Sequence, residues 1–199
     1  ADLLKGAEIK PGDKINVVVP TGNFGSILAA YYAKRMGLPI AKLICASNKN
    51  NVLTDFINTG IYNRNRDFHT TISPSMDILI SSNLERLLYD LSGCDDKVVS
   101  GLMNELRENG KYTVSDDIFN QIKELFWAGC CDDYFTKVQI YNTNNQHGYT
   151  VDTHTAVAVK VFYDYKAETG DDTPAVIAST ASPFKFSAAV LEAVDGKND

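Results

Sequence analysis

Hydrophobic and polar positions between Ile15 and Gly37 change from a short continuous apolar run to a helical spacing. Val17–Val19 follow Ile15 in a mostly β-branched run, which is typical of a parallel strand covered on both faces. Ser26–Met36 has apolar residues on one side of a helix, and Gly37 is placed to end it. This stretch therefore predicts a strand followed directly by a helix.

The turn that joins this strand to this helix, Thr21–Gly25, contains two glycines, which allow positive φ angles and let another group approach the backbone closely. Such a turn places free N–H groups at a helix N-terminus, where an anion and above all a phosphate is favoured. The same glycines could serve only as a strand-to-helix turn. Neither the P-loop pattern nor the dinucleotide-binding glycine pattern is present, so a phosphorylated ligand other than a nucleotide is favoured.

Further strands are predicted on both sides of a mainly helical block. Leu43–Ala46 reads as a second strand, parallel to the first because a helix connects them. Lys137–Tyr141 and Ala175–Ser179 are predicted as strands beyond the helical block. Asp152–Tyr165 is ambiguous, since its valines favour a strand while its Asp152 cap favours a helix. Ser182–Val194 is predicted as the last helix, followed by a solvated tail at 195–199.

Helix starts are predicted from capping residues in the block between these strands. Asn51, Asp95 and Ser115 are candidate N-caps, and Ser82 with Glu85 forms a capping-box pattern. The helix that begins at Ser115 is expected to extend through Leu125 and Phe126. Before the first strand, a turn at 11–13 and a helix remnant that includes Leu3, Leu4 and Ile9 are expected.

Composition narrows the classes of protein to which the chain can belong. Its 199 residues are 44% apolar and 22% charged, as in one sizeable globular domain. A net charge of −6 argues against a nucleic-acid surface, and no apolar run reaches the roughly 18–20 residues of a membrane span. The four cysteines show no metal-ligand spacing, so we expect no metal site and a reducing, cytoplasmic setting.

Several longer runs resemble threonine synthase, in that family's order and spacing and over nearly the whole chain. These runs are PTGNFG, CASNKNNVLTDFINTGIYN, SPSMDILISSNLERLLYDL, DTHTAVA and STASPFKFS. The resemblance implies an α/β fold of three αβα layers with a mainly parallel sheet, as in tryptophan synthase β, and it implies a helix for the ambiguous segment Asp152–Tyr165. It implies pyridoxal phosphate as cofactor and the conversion of O-phosphohomoserine and water to threonine and phosphate.

The same resemblance implies that the chain corresponds to the C-terminal half of the enzyme. In this family the lysine that forms the Schiff base with the cofactor precedes the glycine loop by a long segment, whereas only residues 1–14 precede the first strand here. We therefore assign no catalytic residue in this chain and expect it to be inactive alone. Residues 1–46 and 137–199 are expected to form the sheet, and 47–136 a helical insertion; a homodimer could cover exposed apolar surface.

The resemblance implies cofactor-binding roles for Gly22, Asn23, Phe24, Gly25 and Ser26, whose backbone N–H groups would hold the phosphate. Ser26 is a departure, since an acidic or amide residue is commoner there, but a hydroxyl can still donate to phosphate. The side chain of Phe24 could simply pack beneath the loop.

Thr180 matches the hydroxyl residue that bonds the pyridine nitrogen of the cofactor, with an ST-turn as the alternative role and Ser182 as the alternative candidate. Asp152 and His154 invite a catalytic interpretation, but a helix cap with a partly buried histidine is the commoner arrangement. Two further hypotheses stay open: another pyridoxal-phosphate lyase or dehydratase of the same fold, and a noncatalytic domain that binds a phosphorylated small molecule.

Overall fold

The first structural unit is the predicted strand, helix and parallel strand. Strand β1 is Ile15–Pro20, helix α1 is Gly25–Arg35 and strand β2 is Ile40–Ser47, and β1 pairs with β2 in parallel. The computed structural model describes residues 9–10 and 12–195. The predicted helix remnant at Leu3 and Leu4, residue Pro11 of the expected turn and the tail 196–199 lie outside the described residues.

The remaining elements follow in chain order. They are α2 (Val52–Thr59), β3 (Ile61–Asn63), a 3₁₀ turn (Pro74–Met76), α3 (Leu84–Leu91), α4 (Asp96–Asn109), β4 (Lys111–Thr113), α5 (Asp116–Leu125), β5 (Phe126–Cys130), α6 (Asp133–His147), α7 (Thr153–Thr169), β6 (Ala175–Ile177), a 3₁₀ turn (Pro183–Phe186) and α8 (Ser187–Val194). None of the helices within residues 12–195 is both long and apolar enough to cross a membrane.

A four-stranded parallel sheet lies at the centre, with the strand order β5-β2-β1-β6. Alternate residues of each strand face opposite layers: Val19 and Cys45 pack with α1 and α2, whereas Val18 and Ile44 pack with α7. Helix α7 contacts all four strands on its face, while α1, α2 and α5 cover the other. The predicted three-layer αβα fold is confirmed.

The prediction of a strand at Lys137–Tyr141 is wrong, because this segment lies inside helix α6. The Asp132 side chain caps that helix by accepting a hydrogen bond from the Phe135 N–H, at 2.9 Å. Its buried face recurs at helical spacing but is largely polar, through Thr136, Gln139, Ile140 and Thr143. A helix whose buried side is polar leaves no helical period in the hydrophobic pattern, so the alternation of Val138 and Ile140 was misleading.

Strand β5 was not predicted, although it is an edge strand of the central sheet. Helix α5 ends at Leu125 and the chain becomes extended at Phe126, without an intervening loop. Phe126 and Ala128 face the larger core. The range 47–136 is thus not purely a helical insertion, since it supplies this strand of the main sheet and also the antiparallel pair β3 and β4.

Most helix boundaries follow the predicted caps. Asp95 accepts hydrogen bonds from two first-turn N–H groups and Ser115 from one, as expected for N-caps. Asn51 precedes α2, but its side chain makes no capping bond. The segment around Asp152 that was ambiguous is helix α7, whose valines lie buried against the sheet rather than within it.

Candidate functional site

The glycine loop between β1 and α1 places its left-handed residue on Phe24 and not on a glycine. Phe24 has φ 62° and ψ 5°, whereas neither Gly22 nor Gly25 uses the positive φ that a glycine allows. The Phe24 ring is 1% exposed and packs beneath the loop, 5.8 Å from the Phe126 ring. Because this ring is anchored in the core, the packing stabilises a backbone conformation that costs a non-glycine residue about 1–2 kcal/mol.

The two glycines of the loop have different structural roles. A Cβ on Gly22 would lie 2.6 Å from the Ser75 carbonyl oxygen and 3.1 Å from the Met76 Cα, so only glycine fits against that backbone. A Cβ on Gly25 would meet only the Asn83 side chain, at 3.7 Å. Gly22 therefore permits a close backbone contact, whereas Gly25 leaves open space in front of the helix N-terminus.

Six consecutive N–H groups at the start of α1, those of residues 22–27, have no hydrogen-bond acceptor within the described part of the chain. The first paired amide is that of Leu28, which donates to the Phe24 carbonyl at 3.1 Å. No side chain caps the helix and its first turn contains no acidic residue. These donors and the positive end of the helix dipole together form a strong site for an anion.

The carbonyl side of the loop is held by the segment that precedes α3. Ser81 Oγ donates to the Gly22 carbonyl at 2.9 Å, and Asn83 Nδ2 donates to the Asn23 carbonyl at 2.8 Å. Ser82 donates to Asn23 Oδ1 through its backbone N–H, at 2.7 Å, and through its hydroxyl, at 2.9 Å. Every one of these bonds uses an oxygen of the loop, so the loop is fixed while its N–H groups stay free.

These contacts correct the capping-box prediction at Ser82. Helix α3 starts at Leu84 with Asn83 at the N-cap position, and no side chain makes a capping bond there. In the sequence, a helix start is enough to explain the residue types of Ser82 and Asn83. Their actual role is to position the loop, and this depends on a contact across about sixty residues that local patterns do not report.

A cavity of about 270 Å³ is lined by the same residues, 22–27. It brings together all six residues predicted for cofactor binding, five from the loop and Thr180 from the segment that follows β6. The cavity lining also includes residues from three other parts of the chain, namely Ser75, Met76, Asn83 and His154. Ser182, the alternative to Thr180, is used instead as a cap, since its hydroxyl accepts from the Phe184 N–H at 3.4 Å.

Asp152 and His154 form a buried pair at the start of α7. Asp152 is the N-cap residue, and its Oδ1 lies 2.9 Å from the His154 N–H and 3.1 Å from His154 Nδ1. His154 is 3% exposed, and its Nε2 accepts from the Ser75 N–H at 3.2 Å. The geometry agrees with the capping interpretation and adds a contact with the cavity wall that the sequence did not indicate.

Burial by itself would raise the pKa of Asp152, but hydrogen bonds from His154 and Thr155 outweigh it and hold the pKa below its ordinary value. A carboxylate whose pKa is lowered on folding stabilises the protein above its unfolded pKa of about 3.9, and this stabilisation is lost as pH falls through the folded pKa.

The pH dependence of stability should therefore distinguish wild type from Asp152→Asn. Between about pH 5 and pH 2, wild type should lose more free energy of unfolding than the variant, because only wild type must protonate a stabilised carboxylate at position 152. Urea unfolding at a series of pH values measures the difference. Two curves that run parallel over this range would contradict the assignment.

A second buried polar cluster was missed in the sequence. Asp77 accepts from Asn48 Nδ2 at 2.7 Å, from Asn50 Nδ2 at 3.0 Å and from the Thr71 N–H at 2.9 Å. This cluster ties the segment 71–77, which carries Ser75, to the end of β2. The available signal was the clustering of asparagines directly after β2, at the carboxyl edge of a parallel sheet where ligands usually bind.

Comparison with known proteins agrees with this fold and loop. A family model described as "Threonine synthase, C-terminal" matches residues 155–199. Threonine synthase-like 1 of Homo sapiens is 44% identical over 195 residues, which are 97% of this chain and 26% of that protein. Threonine synthase of Saccharomyces cerevisiae is 41% identical over 202 residues, which are 94% of this chain and 39% of that protein.

A solved structure is similar to the chain over nearly its whole length. The pyridoxal-phosphate-bound threonine synthase of Brucella melitensis superposes with a TM-score of 0.86 and 42% identity, over 96% of this chain and 40% of that chain. The three-layer fold with its glycine loop places the chain in the structural class of these enzymes. Within that class it matches the C-terminal half of threonine synthase, which confirms the resemblance seen in the sequence. The chain spans about a quarter of the first relatives that it matches, at 26% of their length.

Proposed function

We propose that the chain forms the phosphate-binding and ring-contacting part of a threonine synthase-like enzyme that uses pyridoxal phosphate. The observation that supports this most directly is the row of six N–H groups at residues 22–27, which have no acceptor among the described residues and belong to residues that line a cavity. The cofactor would be held at its phosphate by the backbone of Gly22–Ser26, with the Ser26 hydroxyl as a further donor.

The residues around the helix N-terminus suit this cofactor, because they neither repel its phosphate nor occupy the space that the phosphate needs. The first turn of α1 has no carboxylate to repel a phosphate dianion, and Gly25 has no side chain to occupy its place. Thr180 lines the same cavity and would meet the pyridine nitrogen with a neutral hydroxyl, which favours an unprotonated ring. When bound, the cofactor supplies a ring that withdraws electrons from the substrate carbon atoms.

The reaction that we propose for the whole enzyme is conversion of O-phosphohomoserine and water to threonine and phosphate. The similarity to threonine synthases over 94–96% of the chain supports this choice. None of the lysines among residues 9–10 and 12–195 lines the cavity, so the covalent lysine of the family would have to come from another part of the enzyme. We therefore expect no turnover by these 199 residues alone.

A different phosphorylated substrate is the second candidate. The first relatives by similarity are called "Threonine synthase-like 1", a name that states a likeness and no reaction. Another pyridoxal-phosphate lyase of this fold, or a noncatalytic domain that binds a phosphorylated small molecule, would present the same loop. Product analysis of the whole enzyme with O-phosphohomoserine separates these from threonine synthase, because only the latter releases threonine and phosphate in equal amounts.

The setting that we propose is cytoplasmic, since all four cysteines are free thiols and two of them are buried. A homodimer remains an expectation. It is supported by large side chains exposed near one another in the chain, such as Tyr134 and Phe135.

Titration with pyridoxal phosphate tests the proposed site. We expect weak binding by absorbance and fluorescence, lost in Gly25→Asp because the new carboxylate takes the place of the phosphate at the helix N-terminus. Gly101→Asp is the matched control, since it adds the same charge to an exposed helix position with nothing within 4 Å. A stoichiometric adduct that borohydride makes permanent would contradict the account, because it would show that a lysine of this chain bonds the cofactor.

A further inference from the structure

We propose that Asp152 is a positioning residue that fixes both walls of the loop cavity, through His154 on one side and Thr155 on the other. The inference rests on the proposed function, since it concerns the same cavity. Asp152 is 1% exposed and lies outside the lining of the cavity, so it acts through other residues and not on the ligand.

The first wall is set through the imidazole of His154. Asp152 is a carboxylate and can only accept, so the proton of His154 lies on Nδ1 and Nε2 is left as an acceptor. Nε2 then receives the Ser75 N–H at 3.2 Å. The carbonyl oxygen of Ser75 approaches Gly22 so closely that a Cβ there would lie only 2.6 Å from it. Asp152 thus selects the histidine tautomer that binds Ser75, and this bond determines how closely the segment around Ser75 packs against the phosphate loop.

The second wall is set through the hydroxyl of Thr155. Its single proton is donated to Asp152 Oδ2. The same Thr155 hydroxyl oxygen lies 3.3 Å from Ser179 Oγ, so holding this hydroxyl against Asp152 also holds its contact with Ser179. Ser179 directly precedes Thr180, which lines the cavity at the end proposed for the pyridine ring. Asp152 therefore fixes the hydroxyl that contacts the residue next to Thr180.

Each carboxylate oxygen serves one wall, which explains why an aspartate suits this position better than other N-cap residues. Oδ1 faces His154 and also accepts its backbone N–H, while Oδ2 faces Thr155. A serine has one oxygen, and an asparagine would turn a donor NH₂ group towards one of the two donors. Either replacement could cap α7, but neither could accept from both side chains at once.

Four variants of the chain test the contribution of each wall to ligand binding separately, two at His154 and two at Thr155. His154→Gln can place its side-chain oxygen near the former Nε2 and accept from Ser75, whereas the shorter His154→Asn can serve Asp152 but not Ser75. Thr155→Ser keeps the hydroxyl, and Thr155→Val removes it at nearly equal volume. The probes are inorganic phosphate, which uses only the loop, and pyridoxal phosphate, which also uses the Thr180 wall.

Calorimetric titration should give a distinct pattern. His154→Asn should weaken binding of both probes about tenfold, the effect of losing one hydrogen bond of about 1.4 kcal/mol, while His154→Gln should stay within about threefold of wild type. Thr155→Val should weaken only pyridoxal phosphate, and Thr155→Ser should restore it. Melting temperatures are measured alongside, because a merely structural role would make affinity follow stability.

Two results would overturn the proposal, one by contradicting the positioning role alone and the other by contradicting the proposed function as well. If the four variants change the affinity for both probes in proportion to their melting temperatures, Asp152 is only a helix cap. If wild type binds neither probe, the proposed function fails first, and the positioning role fails with it.

Discussion

Replacing Gly22 with alanine should abolish measurable binding of pyridoxal phosphate and lower the free energy of unfolding by about 1–3 kcal/mol. The new Cβ would lie 2.6 Å from the Ser75 carbonyl oxygen, which is backbone and cannot rotate away. Either the loop or the segment 73–77 must move, and residues of both segments line the cavity. Calorimetric titration and urea unfolding measure the two effects.

The control for this substitution is Gly25→Ala, three residues further along the same loop. Its Cβ meets only Asn83 Nδ2 at 3.7 Å, so the fold should tolerate it and stability should change by less than about 1 kcal/mol. Affinity should still fall, because the methyl group enters the space in front of the helix N-terminus. Equal destabilisation by the two variants would show that the contact between Gly22 and Ser75 is not tight.

Replacing Phe24 with alanine should destabilise the chain by about 3–5 kcal/mol. The ring is 1% exposed and packs against Phe126 within the larger core cluster, so its loss leaves a cavity between α1 and the sheet. The loop should also lose its fixed conformation, and with it most of its affinity for phosphate. Thermal unfolding with and without pyridoxal phosphate reports both.

Phe24→Gly separates the packing of the ring from the backbone strain. Both variants lose the same ring, but glycine accepts φ 62° without the cost of about 1–2 kcal/mol that alanine pays. The glycine variant should therefore be more stable than the alanine variant, against the usual order in a helix. If alanine were the more stable of the two, Phe24 would not hold a strained conformation.

The sequence was sufficient for the parts of the fold that depend on neighbouring residues. The run Val17–Val19, the two glycines and the caps Asp95 and Ser115 predicted their elements because each signal lies within a few residues of its effect. Strand β5 and helix α6 were mistaken for a different reason. Their identity depends on which face meets the rest of the protein, and in α6 that face is made of threonine and glutamine.

The candidate site also has a part that was predictable from neighbouring residues and a part that depends on distant contacts. The free N–H groups of residues 22–27 follow from a strand, a glycine loop and an uncapped helix, so the loop was predictable. The bonds from Ser81 and Ser82 to the loop, and from Ser75 to His154, join segments separated by about sixty to eighty residues. No periodicity or cap pattern reports such contacts. The left-handed residue of the loop is Phe24 and not a glycine, because burial of its ring stabilises this conformation.

The central claim is that the backbone N–H groups of residues 22–27 bind a phosphate. Amide chemical shifts of the ¹⁵N-labelled chain, followed during titration with pyridoxal phosphate and then with inorganic phosphate, test it most directly. The account predicts that both ligands shift these six amides, and that pyridoxal phosphate additionally shifts Thr180. Shifts confined to other regions, with residues 22–27 unchanged, would contradict it.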